Sequence, residues 1–175
     1  AGTISTNSNF NDLLRSSKDL KEHNCVIQYL IKCLEILKIK NFKKGDMKVN
    51  SFGDIAHLQT LIFAKVKNIC PFELLENLHP SPAVCGFPKN QALDWINTLE
   101  WFSRGNYASP MGWVDSSGNS SFLVAIRGAR YFEDNIEFTA GSGIVSGSVL
   151  EKEIDEIRLK FESLVKQIFF AQTSR

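Results

Sequence analysis

The chain has 175 residues, of which 43% are hydrophobic, and this is enough for one domain, or a part of a larger one, to bury a core. Its formal net charge of +1 argues against a broad nucleic-acid footprint and against polybasic contact with a membrane. No apolar run approaches the length of a bilayer span, and the first residues lack the charged and apolar regions of a secretory signal, so we expect a cytoplasmic protein.

The first part of the chain has a helical pattern followed by a less regular stretch. Apolar residues recur at helical spacing over residues 11–39, most clearly from Leu20 onward. Residues 41–46 break this pattern. Residues 47–66 mix alternation with a continuous apolar run, which predicts two strands.

The middle of the chain contains two further helical patterns. Residues 71–78 suit a short helix with Pro71 at its start. Three prolines within residues 79–88 predict a loop. Apolar spacing then returns and predicts a helix over residues 89–102.

The sequence of the last third of the chain predicts strands followed by a final helix. Strands are predicted over Tyr107–Val114, Phe122–Tyr131 and Ile136–Thr139, and their turn-rich connections predict an antiparallel meander. Ser148 and Glu151 have the spacing of a capping box at the start of the last helix. With no repeat or linker, the sequence predicts one α+β unit, mainly an antiparallel sheet with flanking helices.

Cysteine and histidine spacing do not indicate a metal site of the zinc type. The four cysteines form no C-x-x-C pair, and Cys25 and Cys33 lie within the first helical pattern, so we expect buried thiols in a reducing compartment. The three histidines are scattered and form no H-x-x-x-H pair.

Two acidic clusters, distant in sequence, carry the strongest chemical signal. Residues three and four apart share a helix face, so Asp19 and Glu22 would project together with a lysine, as would Glu153 and Glu156. If the fold brings the clusters together, their carboxylates could bind Mg²⁺. Each cluster alone is better explained as a solvated helix surface, and only the other motifs of the chain favour a metal site.

A run of small residues, Ala140–Val145, lies between the last predicted strand and the last helix. Glycines at this position let backbone N–H groups approach an anion, and the positive end of a helix dipole favours negative charge. Packing of a tight turn would explain the same residues without a ligand.

These motifs, with several others, occur in the order seen in chorismate-utilising enzymes, and the whole chain resembles the C-terminal part of their catalytic domain. The motifs are Ala1–Thr3, Lys18–His23, His57–Leu58, Pro80–Pro88, Arg104–Tyr107, Ala125–Arg127, Ala140–Val145 and Glu153–Lys160. The resemblance implies part of a chorismate-binding fold like that of anthranilate synthase component I. We expect residues 1–175 to be its C-terminal portion, without the N-terminal portion.

The proline loop resembles one branch of this family. Anthranilate and aminodeoxychorismate synthases typically carry a G-T-x-S-G-A-P-K-like stretch, and salicylate synthases tend to have threonine where this chain has Ala83. The sequence P-S-P-A-V-C-G-F-P is similar to the isochorismate synthase version. The resemblance therefore implies an isochorismate synthase of a menaquinone, phylloquinone or siderophore pathway, in the cytoplasm or, for a photosynthetic eukaryote, the plastid stroma.

The resemblance also implies roles for individual residues. Glu22 and Glu156 match magnesium ligands, and Asp19 and Glu153 match acids that hold metal-bound waters. The expected substrate-binding residues are His57, Ala83, Tyr107, Arg127, Gly141, Gly143 and Lys160. Among them, Tyr107, Arg127 and Gly141 match groups that bind the pyruvyl carboxylate, and Lys160 matches a partner of the ring carboxylate. Taken singly, Arg127 could be a surface residue, Tyr107 a core residue and His57 a buried histidine.

The implied reaction is the Mg²⁺-dependent exchange of the C4 hydroxyl of chorismate for a water-derived hydroxyl at C2, which needs a general base and a general acid. In the family these are a lysine and a glutamate, N-terminal to the motif that Ala1–Thr3 matches, so we expect this chain to be inactive alone. Two departures from the family pattern are the lack of arginine in Ile4–Asn7 and aspartate rather than glutamate at position 19. Alternatives are a salicylate or anthranilate synthase-like enzyme, or a non-catalytic half-domain that binds metal or a carboxylate ligand or pairs with a separate chain. The expected partner chain is the missing N-terminal portion of the same enzyme.

Overall fold

The computed structural model describes residues 2–169. The chain forms two compact units, the first from residues up to 23, 48–59 and from 126 onward, and the second from residues 24–47 and 60–125. Because the chain passes repeatedly from one unit to the other, no linker or change of composition marks a boundary in the sequence.

Helices and short strands alternate along the chain. In chain order the elements are β1 (Ile4–Ser5), α1 (Phe10–Arg15), α2 (Ser17–Ile36), β2 (Phe42–Lys44), β3 (Lys48–Phe52), β4 (Ile55–Gln59), β5 (Ile62–Ala64), α3 (Pro71–Leu78), α4 (Pro82–Cys85), α5 (Lys89–Leu99), β6 (Pro110–Val114), β7 (Ser120–Val124), β8 (Ala129–Phe132), β9 (Asn135–Phe138) and α6 (Leu150–Phe169). All strand pairs in the described part of the chain are antiparallel. The fold class is therefore α+β, as the sequence predicts.

The first unit is built on a three-stranded sheet in the order β1-β4-β3. The central strand β4 pairs on both sides, with Ala56 opposite Ile4 and His57 opposite Asn50. Its apolar side chains are buried, as are Leu13 of α1 and Leu164 of α6. The unit also contains the first turns of α2 and the β8–β9 hairpin. This core packs α1 and α6 against β4.

The second unit contains the rest of α2, helices α3 to α5 and two strand pairs, β2 with β5 and β6 with β7. The hydroxyl of Tyr29 and the thiol of Cys33 both donate to the carbonyl oxygen of Asn77, at 3.2 Å each. These bonds satisfy a carbonyl near the end of α3, which has no further helical turn to bond it. They fix α2 against α3.

Several predicted elements are confirmed, and others differ. Helix α3 has the predicted bounds, with Pro71 at its first position, where no N–H is needed. The predicted helix of residues 11–39 is α1 and α2, separated at Ser16. The loop prediction for residues 79–88 was wrong in part because α4 lies within it, and β2 lies in the predicted break at residues 41–46. The last helix begins at Leu150, and Ser148 Oγ accepts from the N–H of Val145.

The predicted three-stranded meander was wrong. The structure has two separate hairpins, β6–β7 and β8–β9, and the predicted strand Phe122–Tyr131 is divided between them. The division occurs at Arg127, whose φ of 57° lies in the left-handed region that a strand cannot accommodate. Periodicity could not reveal this break because the side chains on either side still alternate.

Free thiols are found at all four cysteines of the described chain. Cys33 and Cys85 are buried and Cys25 is half-buried, as expected, but Cys70 is exposed immediately before α3. No helix among residues 2–169 combines the length and the apolar character needed to span a membrane.

Candidate metal and carboxylate site

The two acidic clusters meet in the first unit, where the start of α2 faces the first half of α6. The ammonium of Lys18 lies 3.1 Å from Glu22 Oε1, 2.9 Å from Glu153 Oε1 and 3.4 Å from Glu156 Oε2. All three carboxylates are largely buried. We call Lys18, Glu22, Glu153, Glu156 and Lys160 the carboxylate cluster.

Lys160 is the second cation of the carboxylate cluster. Its ammonium lies 2.6 Å from Glu156 Oε1 and donates to the carbonyl oxygen of Gly141 at 2.7 Å. Only 7% of its side chain is exposed. Lys160 therefore connects α6 to the loop of residues 140–145 as well as neutralising one carboxylate.

The glycine-containing loop closes over the carboxylates. The hydroxyl of Ser142 donates a short hydrogen bond to Glu153 Oε2. A Cβ atom added to Gly143 would lie 3.0 Å from Glu22 Oε2, so the absence of a side chain there leaves room for that carboxylate. Asp19 likewise packs against buried Gly2, where an added Cβ would lie 2.8 Å from Asp19 Oδ1. Small residues thus allow backbone to approach the acids closely.

The three glutamates differ in proton affinity because their partners differ. Burial raises the pKa of Glu22, and the nearby Lys18 opposes this rise without cancelling it. Burial would also raise the pKa of Glu153, but hydrogen bonds from Ser142 and Lys18 outweigh it and lower that pKa. For Glu156, the same burial effect is outweighed by the charges of Lys160 and Lys18, so its pKa is lowered.

The two lysines respond in opposite directions. Burial would lower the pKa of Lys18, but hydrogen bonding to Glu153 and the charges of Glu156 and Glu22 raise it above its ordinary value. Burial of Lys160 lowers its pKa, although the partner Glu156 opposes the change. Lys18 is thus held firmly as a cation by its three acidic neighbours.

His57, on β4, connects the sheet to the carboxylate cluster through the start of the chain. Its Nδ1 lies 2.7 Å from the carbonyl oxygen of Gly2, which can only accept, so the neutral ring carries its proton on Nδ1. Thr3 Oγ1 lies 3.2 Å from the same nitrogen, and the Thr3 hydroxyl also bonds to Glu156. Burial lowers the pKa of His57 to about 4, so the ring is neutral at pH 7.

Arg127 is half-buried in the connection between β7 and β8. Its positive charge contributes to the lowered pKa values of both His57 and Lys160, which places all three in one electrostatic environment. Its left-handed backbone costs about 1 kcal/mol or more for a non-glycine residue, and such conformations concentrate at functional sites. Arg127 is thus not a fully exposed surface residue, and its role in binding a carboxylate stays a prediction.

Ala83 and Tyr107 belong to the second unit. Ala83 is exposed on α4, and Tyr107 is half-buried. Arg104 links the two segments that carry them. Its guanidinium donates to the carbonyl oxygen of Val84 at 2.6 Å, pairs with both oxygens of Glu100, and lies 5.8 Å from the centroid of the Tyr107 ring.

The cluster offers the donor set that a hard divalent cation prefers. Residues 2–169 contain no group of three or more His, Cys, Asp or Glu side chains arranged to hold a metal ion in this conformation. The carboxylates nevertheless converge on one cation, the Lys18 ammonium, and the buried Oε1 of Glu22 accepts no hydrogen bond of good geometry among the described residues. Carboxylate oxygens are the usual protein ligands of Mg²⁺, so these residues fit such an ion.

The sequence assigned no role to three residues of the first unit, Thr3, Lys18 and Ser142, or to Arg104 of the second unit. The sequence contains a feature that could have indicated two of them as site residues. Lys18 is one turn from Glu22, and Ser142 lies between two glycines. The contacts of Thr3 and Arg104 depend on residues distant in sequence, such as His57 and Val84, and no local pattern predicts them.

Comparison with known proteins identifies the family. A family model described as a chorismate binding enzyme matches residues 3–169. The chain belongs to the chorismate-binding enzyme family. It is 32% identical over 155 residues to a vibriobactin-specific isochorismate synthase of Vibrio cholerae, and 36% identical over 157 residues to a salicylate biosynthesis isochorismate synthase of Pseudomonas aeruginosa; each match covers 87% of this chain.

The chorismate-binding fold is also found by structural comparison. A crystal structure described as a 2,3-dihydroxybenzoate-specific isochorismate synthase of Bacillus anthracis matches 95% of this chain with a TM-score of 0.87 and 30% identity. The chain spans 47% of that structure, and 39% and 32% of the Vibrio and Pseudomonas relatives. The fold described above is therefore part of a chorismate-binding fold.

Proposed function

We propose that this chain supplies the metal-binding and carboxylate-binding part of a Mg²⁺-dependent isochorismate synthase. The observation that carries the proposal is the convergence of Glu22, Glu153 and Glu156, from two helices, on one cationic position beside the glycine-containing loop. Membership of the chorismate-binding family and similarity to isochorismate synthases support this substrate. Menaquinone and siderophore biosynthesis are the pathways that fit best.

In this proposal, Glu22 and Glu156 bind Mg²⁺, and Asp19 and Glu153 hold its water ligands. The ion supplies positive charge that neutralises and orients the ring carboxylate of chorismate. Lys160 binds the same carboxylate, because its ammonium is already held at the loop by Gly141.

The pyruvyl carboxylate of chorismate binds to Arg127 and the loop backbone at Gly141 and Gly143. A guanidinium fork suits a carboxylate because it donates two parallel hydrogen bonds. His57 lines the ring pocket as a neutral imidazole, since its pKa of about 4 keeps it uncharged near pH 7. A neutral ring there adds no further charge beside Arg127 and Lys160.

We expect the chain by itself to bind chorismate without converting it, because the family resemblance implies that the lysine base and the glutamate acid lie outside the residues that this chain matches. Incubation of the chain with chorismate and Mg²⁺, followed by chromatography, should yield no isochorismate. Calorimetry should detect chorismate binding that requires Mg²⁺. Turnover at an ordinary enzymatic rate would contradict the expected inactivity of the chain alone. Absence of any chorismate binding would contradict the expected binding.

A chimera tests the reaction. This chain replaces the matching segment of the Vibrio relative, and the purified chimera receives chorismate, Mg²⁺ and an ammonium salt. Isochorismate as the product supports the proposal. Anthranilate or salicylate with released pyruvate would support the alternative chorismate-utilising activities. A folded chimera without product, beside an active parent, would favour a non-catalytic binding module.

A further inference from the structure

Lys18 is the residue of the carboxylate cluster that the proposed reaction does not use, although it has the most acidic neighbours. Its ammonium contacts carboxylates on two helices, and both oxygens of Glu153 lie within 3.0 Å of it. A divalent ion in this cluster would occupy a similar position, because it too must contact Glu22 and Glu156. The lysine ammonium and the metal therefore need the same oxygens.

We propose that Lys18 is the resident cation of the carboxylate cluster: it holds Glu22, Glu153 and Glu156 together before a divalent metal binds, and it competes with that metal for them. This inference rests on the proposed function, because it assumes that the cluster is a metal site. It assigns Lys18 the role of setting metal affinity, separate from any contact with substrate.

The charges of the cluster explain why a resident cation is needed. Three carboxylates and the single ammonium of Lys160 would leave two net negative charges in a largely buried site, and Lys18 reduces this to one. Uncompensated buried charge is strongly destabilising. When a divalent ion enters, the cluster has sufficient positive charge without Lys18, and the ammonium becomes a repulsive neighbour of the metal.

The geometry allows the ammonium of Lys18 to leave the carboxylate cluster, whereas the ammonium of Lys160 is held in place by the loop. Lys18 is the second residue of α2, and its ammonium pairs with Glu22, Glu153 and Glu156, whose carboxylates the metal would take over. Its side chain is 17% exposed, compared with 7% for Lys160. A flexible four-carbon side chain at a helix start can move its charge to water. Lys160 keeps its bond to the Gly141 carbonyl, which no metal replaces.

The test uses the full chain, the variant Lys18→Met and the matched control Lys21→Met, which removes an exposed lysine from the same helix. Titration calorimetry measures the Kd for Mg²⁺ and Mn²⁺, and thermal unfolding is measured in EDTA and in saturating Mg²⁺. We expect Lys18→Met to lower the midpoint in EDTA, to recover more stability with Mg²⁺ than the parent does, and to bind metal about tenfold more tightly or better. Lys21→Met should match the parent.

The variant Lys18→Arg keeps the positive charge and tests the proposal even if Lys18→Met does not fold. Arginine holds carboxylates more firmly than lysine does, so Lys18→Arg should fold and bind Mg²⁺ no more tightly than the parent. Equal or weaker metal binding by Lys18→Met, or tighter binding by Lys18→Arg, overturns the role of Lys18 and leaves the metal site intact. If the parent and all variants fail to bind Mg²⁺ and Mn²⁺ at millimolar concentration, the metal site itself is wrong and both proposals fall.

Discussion

Lys160 and Glu156 form the shortest ion pair of the carboxylate cluster, with Nζ and Oε1 2.6 Å apart across one turn of α6. Because both side chains are nearly inaccessible to solvent, this pair differs in kind from the exposed pair of Asp155 and Arg158 on the same helix, whose atoms are 3.4 Å apart. Exposed pairs contribute little, whereas removal of one partner of a buried pair leaves an uncompensated charge.

Lys160→Met should therefore lower the free energy of unfolding by about 3 kcal/mol, because it leaves three carboxylates with the single ammonium of Lys18 in the buried cluster. Asp155→Asn, on the exposed side of the helix, should change it by less than about 0.5 kcal/mol. Urea denaturation of the parent and both variants at pH 7.5 without metal measures the difference. Equal effects of the two substitutions would show that the cluster contributes no more than a surface ion pair.

Protonation of His57 should make stability depend on pH. Its folded-state pKa of about 4 lies below the ordinary value of 6.5, so the folded state resists the proton that the unfolded chain accepts. The stabilising effect of the neutral ring is fully present above pH 6.5 and is lost as pH falls from 6.5 to about 4. We expect a loss of roughly 2 kcal/mol over this range, after allowance for the partial exposure of the ring.

The measurement compares unfolding free energies at several pH values between 7.5 and 4.5 for the parent, His57→Gln and His79→Gln. His57→Gln should remove most of the slope in this range. His79→Gln should retain it, because His79 is less buried and makes no bond to the start of the chain. The same slope in all three proteins would assign it to other groups.

Gly143→Ala should disturb the site more than the fold. Its Cβ would lie 3.0 Å from Glu22 Oε2, and the flexible carboxylate can move by a few tenths of an ångström at small cost. We expect Mg²⁺ binding to weaken roughly tenfold with a stability change below about 1 kcal/mol. Gly128→Ala is the matched control, since its Cβ would meet nothing within 4 Å. A metal Kd unaffected by Gly143→Ala would exclude Glu22 as a ligand in the described position.

Arg104→Lys should loosen the proline loop of the second unit. Lysine keeps the charge but cannot donate to Val84 and pair with both oxygens of Glu100 at once. We expect a loss of about 1 to 2 kcal/mol, together with faster amide exchange over residues 82–86 by hydrogen–deuterium exchange mass spectrometry.

Arg130→Lys is a suitable control, because Arg130 also pairs with a glutamate and lies 5.8 Å from an aromatic ring but is 61% exposed. It should change stability by less than about 0.5 kcal/mol. Unchanged exchange in the proline loop of Arg104→Lys would remove Arg104 as the residue that positions it.

The sequence predicted an element correctly where local residue preferences determine it. Pro71 marks the start of α3 because proline suits a helical first position, and the spacing of apolar residues locates α5. The left-handed conformation of Arg127 has no such signal, because glycine or asparagine is the residue that usually indicates it. Short strands such as β2 depend on a distant partner, here β5, and the sequence around Lys43 carries no preference strong enough to predict it.

Helical spacing and the family resemblance together predicted the acidic residues of the site. Spacing places Glu153 and Glu156 on one face of α6, and the resemblance links them to Glu22, with which they share an ammonium in the structure. The bond from Ser142 and the network from His57 through Thr3 arise only once distant segments fold together. Tertiary contact, which a single sequence does not encode locally, supplies these partners.

Helix α6 buries charged residues in preference to some of its apolar ones. Glu153, Lys160 and Ser163 are buried, while Ile154 and Ile168 are 39% and 36% exposed. Hydrophobic contact is not directional, so it does not by itself select one rotation of α6, whereas Glu153 must face Lys18 of α2 and Lys160 must face Gly141. The polar contacts of Glu153 and Lys160 therefore favour the same rotation of α6 as the buried Leu164, so docking of the helix and assembly of the binding site occur together.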